Sequence, residues 1–275
     1  MALKSFISGK CNSVAKTAGK RISENPGKNP FNPLMVYGGV GLGKTHLIQS
    51  IGNKISKKLK SSNINVIANY ASNDDAAKAF SEEFGIEVMK WDVSNFEECK
   101  RSVEIIYQKN QNIDILVNNA GITRDAPLHK MALEDWQKVI DVNLNSVFNM
   151  TSLVINKMRE NKFGRIIHIS SVNGQKGQFG QTNYASTKSA LIGFSKSLAL
   201  ESAIKGITSN VICPGYINTE MVAAIREDIL KNIIDSIPNK RLGEADEVAE
   251  MVNYLVSDKA SYVNGSTLSI NGGLW

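Results

Sequence analysis

The 275-residue sequence lacks the features that mark membrane-spanning, secreted and repetitive proteins. No apolar run approaches the ~18–20 residues that a transmembrane helix needs. The three cysteines, Cys11, Cys99 and Cys213, are widely spaced and form neither a CxxC pair nor a disulfide framework. Residues 1–10 contain lysines but no apolar stretch before a small-residue cleavage site, so we expect no secretory signal. Together these absences predict a cytoplasmic protein without a membrane partner.

A large excess of one charge is also missing. The net charge is +6, and most lysines are scattered along the chain. One dense cluster, Lys54, Lys57, Lys58 and Lys60, has helical spacing. A solvated helix face explains this cluster better than a nucleic-acid patch does, so we expect no nucleic-acid partner. The mild basicity suits a polyanionic small ligand, and no metal-ligand cluster is expected.

From residue 34 onward the sequence alternates short apolar runs with amphipathic stretches. Such runs between helices indicate parallel strands that are buried on both faces. Seven of them predict an α/β fold with a single doubly wound parallel seven-stranded sheet, which binds ligands at the carboxyl ends of its strands. Residues 1–33, with a predicted helix over about 13–22, form an N-terminal extension to the domain of residues 34–275. The predicted strands are Leu34–Tyr37, Asn65–Asn69, Glu87–Trp91, Ile113–Val117, Arg165–Ile169, Thr208–Ile212 and Thr267–Ile270.

The most informative stretch joins a strand to a tyrosine and a lysine. Ser171 follows the fifth strand, Tyr184 lies thirteen residues later, and Lys188 lies four residues after the tyrosine. On a helix the spacing of four puts the phenol and the ammonium on one face. A nearby ammonium favours phenolate and is expected to lower the tyrosine pKa from about 10. The set predicts an acid that protonates a carbonyl oxygen, with a serine hydroxyl bonded to the same oxygen.

Several neighbouring motifs occur in a matching order along residues 62–275. Asn118-Asn119-Ala120-Gly121 follows a buried strand, Asp141-Val142-Asn143-Leu144 comes next, and Pro214-Gly215 precedes Thr219 by a few residues. Asn271-Gly272-Gly273 closes the chain. With these motifs the chain resembles the short-chain dehydrogenase/reductase family, whose fold is the dinucleotide-binding sheet.

The resemblance implies a catalytic tetrad of Asn143, Ser171, Tyr184 and Lys188. Tyr184 would be the acid, Ser171 would polarise the carbonyl, Lys188 would bind the nicotinamide ribose, and Asn143 would hold a water that feeds a proton relay. Asp92 would meet the adenine amino group and Thr219 the carboxamide. The end of the second strand offers Asn69 and no carboxylate for a ribose 2′-hydroxyl, which favours NADP(H) over NADH. The implied cofactor-binding positions are Asn69, Asp92, Val93, Asn118, Ala120, Gly121, Tyr184, Lys188, Pro214, Gly215, Ile217 and Thr219.

The segment before the catalytic tyrosine indicates the substrate. Gln178 and Gln181 flank Phe179 and offer amide hydrogen bonds beside an apolar wall, which suits a short β-keto thioester. This stretch, with Ile122-Thr123-Arg124-Asp125 and Tyr216, resembles bacterial acetoacetyl-CoA reductases; 3-oxoacyl-ACP reductases are the alternative. The implied substrate contacts are Asp125, Gln178, Phe179, Gln181 and Tyr216, and the family implies a homotetramer. A predicted helical stretch over 218–237 either covers the pocket or is ordinary surface.

The first strand-turn-helix unit, residues 34–60, departs from the family. Its glycines, Gly38, Gly39, Gly41 and Gly43, fall one residue short of the family's TGxxxGxG turn. With Lys44-Thr45 they complete GxxxxGK[ST], a triphosphate-binding P-loop. Residues of about 5–55 resemble the start of the ATPase domain of bacterial chromosomal replication initiators, so the chain looks chimeric.

Three functions therefore stay open at the level of sequence. The first is a reductase that binds its cofactor weakly through Gly38, Gly39, Gly41 and Gly43. The turn is one residue short, and the following helix with its loop is some eight or nine residues longer than the family usually allows before the second strand. Tyr37→Thr with an arginine inserted near Val40 is the repair that the turn suggests. The second is an ATP-binding module, which the lack of an apolar strand ending in Asp-Glu after residue 60 disfavours. The third is a reductase scaffold that only binds.

Overall fold

A computed structural model describes residues 34–37, 46–218 and 227–275. The predicted helix near residues 13–22, with the rest of the N-terminal extension, lies outside the described residues. Within them seven strands form one parallel sheet in the order β3-β2-β1-β4-β5-β6-β7, which confirms the predicted doubly wound fold. The strands are β1 Leu34–Tyr37, β2 Val66–Tyr70, β3 Glu87–Lys90, β4 Ile115–Asn118, β5 Gly164–Ile169, β6 Ile207–Pro214 and β7 Thr267–Ile270.

Helices connect the strands, and none of the described ones combines the length and apolarity that crossing a bilayer requires. The predicted helix after the glycine loop is confirmed as α1. Part of the predicted 218–237 helical stretch is confirmed as α8, and residues 219–226 lie outside the described residues. The helices are α1 His46–Ser61, α2 Asp74–Phe84, α3 Phe96–Asn110, α4 Leu133–Ile140, α5 Ser146–Asn161, α6 Val172–Lys176, α7 Thr182–Ser202, α8 Glu227–Ser236 and α9 Ala245–Val256.

Two apolar clusters bury the two faces of the sheet. Helices α1 and α9 contribute side chains such as Ile55 and Val252 to one cluster, together with β4 and β5 residues. Helices α3 and α5 contribute Val103 and Met150 to the other. Every residue of β4, β5 and β6 is buried, as continuous apolar runs predict for central parallel strands.

The strand register brings four residues level across the sheet. Tyr37 pairs with Asn69 on one side and with Asn118 on the other, and Asn118 pairs with His168. The strands end at or just after these residues, so the loops that follow them emerge together. This carboxyl edge is where open α/β sheets bind ligands.

The lysine cluster of the sequence lies on α1 and is partly engaged by neighbouring elements. Lys54 forms an ion pair with Asp246 at 2.8 Å, and Lys58 pairs with Glu250. The Lys57 ammonium lies 3.3 Å from the centre of the Phe84 ring. The expectation of a purely solvated face was therefore incomplete, because three of these cations dock the helix against α9 and α2.

Helix α1 passes very close to the loop after β4. A Cβ atom added at Gly52 would lie 2.9 Å from Asn119 Nδ2, closer than non-bonded atoms tolerate. Gly193, in the exposed surface of α7, has open space around the equivalent position.

We expect Gly52→Ala to lower the melting temperature and Gly193→Ala to leave it unchanged or raise it. Alanine is favoured over glycine in a helix interior by about 1 kcal/mol, so the propensity gain is common to both variants. The difference between them isolates the close approach at Gly52. Thermal unfolding followed by circular dichroism measures it, and equal shifts in the two variants would contradict the close approach.

Candidate active site

The predicted cofactor positions meet at the carboxyl edge of the sheet. Asn69 lies near the end of β2, Asp92 and Val93 follow β3, and Asn118 ends β4 before Ala120 and Gly121. Pro214 ends β6, and Gly215 and Ile217 follow it. The structure thus brings together predicted cofactor residues that are spread over about 150 positions of the sequence. Gly38, Gly39, Gly41, Gly43 and Thr219 lie outside the described residues.

Ser171 and Tyr184 form the centre of the site. Ser171 caps the N-terminus of the short helix α6, where its Oγ accepts a hydrogen bond from Asn173 N at 3.1 Å. Tyr184 lies in the first turns of α7, is 7% exposed, and shares a side-chain hydrogen bond with Ser171. The spacing of thirteen residues therefore does bring the hydroxyl and the phenol into contact.

Lys188 lies one helical turn after Tyr184 and is almost fully buried. Its Nζ donates to Ile169 O at 2.8 Å and lies 5.7 Å from the centre of the Tyr184 ring. Burial lowers the pKa of Lys188 to about 8, since removing the ammonium from water disfavours its charged form. The lysine thus titrates close to physiological pH.

The expected lowering of the Tyr184 pKa is wrong for this structure. Burial raises the pKa of Tyr184 to about 12; the Ser171 hydrogen bond acts in the opposite direction, and the charge of Asp125 adds to the increase. Desolvation of the phenolate is the largest cause, and the Lys188 ammonium is directed at Ile169 O. The phenol is therefore protonated at neutral pH, which is the state that a proton donor needs.

Asn143 joins the loop after β4 to α7, the helix that carries Tyr184 and Lys188. It lies in a π-helical turn, Asp141–Asn145, and such turns are frequent at functional sites. Its Oδ1 accepts from Ile122 N at 2.7 Å, and its Nδ2 donates to Ile122 O at 3.0 Å and to Thr187 Oγ1 at 3.2 Å. Both amide hydrogens are engaged, so the side chain ties the backbone of Ile122 to the hydroxyl of Thr187, the residue before Lys188. The water and the proton relay stay predictions.

The predicted substrate loop borders the same site. Ala126 N donates to Gly180 O at 2.9 Å, which holds the loop beside the segment that contains Asp125. Gln181 Oε1 accepts from Asn173 Nδ2 at 3.0 Å, and Gln178 Oε1 accepts from Lys176 Nζ at 3.1 Å. Phe179 is 86% exposed, so its ring is available to a ligand.

Tyr216 borders a different feature of the same edge. It lines a cleft of about 360 Å³ together with Arg241, Glu247 and Asn271. The Arg241 guanidinium forms two hydrogen bonds to Glu247, at 2.7 and 2.8 Å. This pair lowers the pKa of Glu247 to about 2. The structure thus places Tyr216 beside an ion pair that the sequence reading did not anticipate.

Comparison with known proteins agrees with this geometry. A family model described as enoyl-(acyl carrier protein) reductase matches residues 47–275. Acetoacetyl-CoA reductases of Shinella zoogloeoides and Rhizobium meliloti are 54% and 53% identical over 226 residues, which cover 82% of this chain and 94% of each relative. The chain belongs to the short-chain dehydrogenase/reductase family. A 3-oxoacyl-(acyl-carrier-protein) reductase of Escherichia coli is 42% identical over 82% of this chain and 93% of that relative.

Family membership makes the chain an oxidoreductase of the dinucleotide-dependent type, and part of the carboxyl edge fits such a cofactor. Asn118 Oδ1 is buried without a hydrogen-bond partner among the described residues, although its Nδ2 contacts His168 and Thr151. An unpaired buried acceptor at the carboxyl edge suits a polar ligand group. Residues from β4, β5 and β6 could hold the nicotinamide half there.

Three other predicted cofactor residues are engaged within the protein. Asn69 Nδ2 donates to Trp91 O at 2.9 Å, and Val93 O accepts from Asn149 Nδ2 at 3.0 Å. Asp92 Oδ1 accepts from Ser94 N at 2.8 Å, and its other oxygen lies 3.9 Å from Lys138 Nζ. These contacts fix the backbone that follows β2 and β3, and an adenine contact of these residues stays a prediction.

Sequence reasoning missed several residues that build the candidate site. Asn183 is fully buried and donates to Arg124 O at 2.9 Å, and Thr187 Oγ1 donates to Tyr184 O at 2.8 Å. A Cβ at Gly174 would lie 2.8 Å from the Lys188 carbonyl carbon, so only glycine lets α6 approach α7. Their positions next to Ser171, Tyr184 and Lys188 in the sequence were the available signal.

A buried polar network continues from Asn118 below the site. His168 Nδ1 lies 3.0 Å from Asn118 Nδ2, and His168 Nε2 lies 3.2 Å from Ser209 Oγ, which in turn lies 2.8 Å from Ser195 Oγ. Burial, and then the charge of Lys188, lower the pKa of His168 to about 3. The imidazole is therefore neutral and joins β4, β5 and β6.

We expect this histidine to make folding less favourable in acid. The unfolded chain binds a proton at an ordinary pKa of 6.5, whereas the folded chain does not until about pH 3. The contribution of His168 is therefore complete above pH 6.5 and is lost as the pH falls, by up to about 1.4 kcal/mol per pH unit.

The free energy of unfolding, measured with denaturant from about pH 4.5 to about pH 8, follows this contribution across the pH range in which it changes. His168→Asn should flatten the acid decline, whereas His129→Asn, at an exposed histidine, should keep the parent's slope. An unchanged slope in His168→Asn would contradict a neutral buried imidazole.

Proposed function

We propose that this chain reduces a 3-oxoacyl thioester, acetoacetyl-CoA, to the 3-hydroxyacyl thioester with NADPH. The contact between Ser171 and Tyr184, one turn from buried Lys188, carries the proposal for carbonyl reduction. Acetoacetyl-CoA reductases at 51–54% identity support this thioester over the acyl-carrier-protein alternative, whose relative is 42% identical.

The chemistry follows from the protonation states of the site. Bound NADPH would supply the hydride. Tyr184 donates its phenolic proton to the substrate oxygen that gains charge, and its pKa of about 12 keeps that proton available. Ser171 donates a hydrogen bond to the same oxygen, which stabilises the developing alkoxide. Lys188 lies one helical turn after Tyr184, where it orients the phenol and would bind the nicotinamide ribose.

The choice of NADPH is supported by the end of β2. Asn69 and Tyr70 stand there, and Tyr70 shares a hydrogen bond with Asp74, which is itself paired with Lys90 at 2.9 Å. A carboxylate bonded to the ribose 2′-hydroxyl usually selects NADH, and Asp74 is held by Lys90 instead. Fluorescence titration with NADPH and NADH compares the two cofactors.

The homotetramer that the family implies stays a prediction. Phe148 on α5, Leu200 on α7 and Ile204 just beyond it are 59%, 85% and 87% exposed. Large apolar side chains that are exposed on neighbouring helices are the kind of surface that a second copy of a chain covers.

We expect Tyr184→Phe to reduce turnover on the order of 10²–10⁴-fold, because it removes the proton donor. NADPH affinity should be retained, since the ring and Lys188 remain. Tyr262→Phe is the matched control, because Tyr262 is fully exposed. Oxidation of NADPH with acetoacetyl-CoA measures both variants. Turnover of Tyr184→Phe within threefold of the parent would contradict the assignment of Tyr184 as the proton donor.

The thioester contacts have a separate test. Gln178→Ala and Gln181→Ala should each raise KM for acetoacetyl-CoA roughly 2- to 12-fold, since an amide hydrogen bond contributes about 0.5–1.5 kcal/mol. Gln108→Ala, on the exposed surface of α3, is the control. If neither KM moves, the loop is ordinary surface and the substrate reverts to an unspecified ketone.

A further inference from the structure

The first helix is fixed against the sheet at a point well inside its length. Gly52 lies against Asn119, the residue immediately after the last residue of β4. Ile51, Ile55 and Leu59, spaced by four, are each no more than 2% exposed within the same apolar cluster. The helix therefore crosses the carboxyl edge of the sheet at Gly52.

The other end of the helix confirms this register. Ser62 Oγ donates to Asn253 Oδ1 at 2.9 Å, and Ser62 and Ile64 line a cleft with Ile115, the first residue of β4. The ten residues from Gly52 to the end of α1 rise by about 15 Å. The strand path from Ile115 to Asn119 rises by about 13 Å, so helix and strand span the same thickness of the sheet.

Helix α1 nevertheless begins at His46, six residues before Gly52. Six helical residues rise by about 9 Å, so the helix continues almost two turns beyond the carboxyl edge. In sheets of this kind the dinucleotide phosphates bind at a helix N-terminus at this edge, where glycines let the backbone come close. Here the first six residues of α1, His46–Ile51, extend past this edge, and we call them the overhang. The helix N-terminus is displaced from the edge by the length of this overhang.

A second observation comes from the family match, which begins at residue 47, inside α1. The third glycine of the family turn is the one that permits close packing of helix on strand. In this chain Gly52 is where α1 closely approaches the residue after β4, and Ser50 stands two residues before it, at the spacing of the second glycine of the turn. Counting back through TGxxxGxG from Gly52 places Thr45 at the threonine and His46 at the first glycine.

We propose that Gly52 is the helix-packing glycine of this reductase, and that the overhang His46–Ile51 obstructs the cofactor's phosphate position. The loop that contains Gly38–Gly43 then does not serve as the dinucleotide turn. This inference rests on the proposed function, because it concerns the NADPH that the function requires. It also changes which substitution should restore NADPH binding. The overhang weakens that binding, and the residue missing from the glycine loop does not.

Two repairs, each made in the whole protein, separate these causes. The loop repair combines Tyr37→Thr with an arginine inserted after Val40. The overhang repair deletes residues 38–44 and adds His46→Gly and Ser50→Gly, which joins β1 directly to a complete TGxxxGxG that ends at Gly52. Gln49→Pro is a third variant of unchanged length, because proline ends a helix on its N-terminal side and is tolerated in a first turn.

NADPH dissociation constants from calorimetry are the readout, with melting temperatures as the check on folding. The parent should bind NADPH at least tenfold more weakly than the Rhizobium meliloti relative does. The overhang repair should recover at least tenfold in affinity, Gln49→Pro at least threefold, and the loop repair should remain within threefold of the parent. Recovery in the loop repair alone would overturn the proposal, and so would parent binding as tight as that of the relative.

The outcomes also separate this inference from the proposed function. If the overhang repair binds NADPH tightly but does not reduce acetoacetyl-CoA, the substrate proposal fails and the overhang proposal stands. If the overhang repair folds and binds no better than the parent, the overhang is not the obstruction. Mg²⁺-dependent ATP binding by the parent without NADPH binding by any variant would overturn both.

Discussion

The buried ammonium of Lys188 is the interaction on which the site depends. Burying a charge is unfavourable unless hydrogen bonds compensate it, and here Ile169 O supplies one at the end of β5. Ser170 Oγ donates to Lys188 O at 2.6 Å, and Gly174 brings α6 against the same backbone. Strand β5, helix α6 and helix α7 are thus joined at one residue. That junction sets Ser171 and Tyr184 within hydrogen-bonding distance of each other.

The polar network beneath the site complements this junction. Neutral His168 links Asn118 on β4 to Ser209 on β6, so three central strands share hydrogen bonds between side chains as well as between backbones. Asn118 is consequently oriented with its Nδ2 toward His168, and its Oδ1 has no hydrogen-bond partner among the described residues. The same low polarity that keeps His168 neutral raises the Tyr184 pKa. Burial therefore sets the protonation states of the whole centre.

Local patterns in the sequence were sufficient for the strands and for the order of the motifs. Continuous apolar runs predicted all seven strands to within two residues, since central parallel strands are buried on both faces. Tyr184 and Lys188 were found because their spacing is helical. Local patterns could not reveal the Asn143–Ile122 contact or the Lys54–Asp246 pair, which join residues 21 and 192 positions apart. The direction of the Tyr184 pKa was missed for the same reason, because desolvation is a property of the tertiary structure.

In the first strand-turn-helix unit, residues 34–60, a shared topology does not ensure that the helix lies at the same position along the sheet. A P-loop and a dinucleotide turn are both strand, glycine turn and helix, so either could connect β1 to α1. For Gly43 to take the place of Gly52, the sequence would have to shift by nine positions along the helix. His46 and Ser50 would then replace Ile55 and Leu59 in the apolar cluster.

Such a shift would also replace Lys54 and Lys58, and their pairs with Asp246 and Glu250, by Thr45 and Gln49. Two large apolar side chains contribute about 1.5–3 kcal/mol each when buried, whereas exposed ion pairs contribute less than about 1 kcal/mol. Ile55 and Leu59 therefore decide the register. The helix keeps Ile55 and Leu59 packed in the core, and its extra residues, His46–Ile51, therefore lie beyond the carboxyl edge of the sheet.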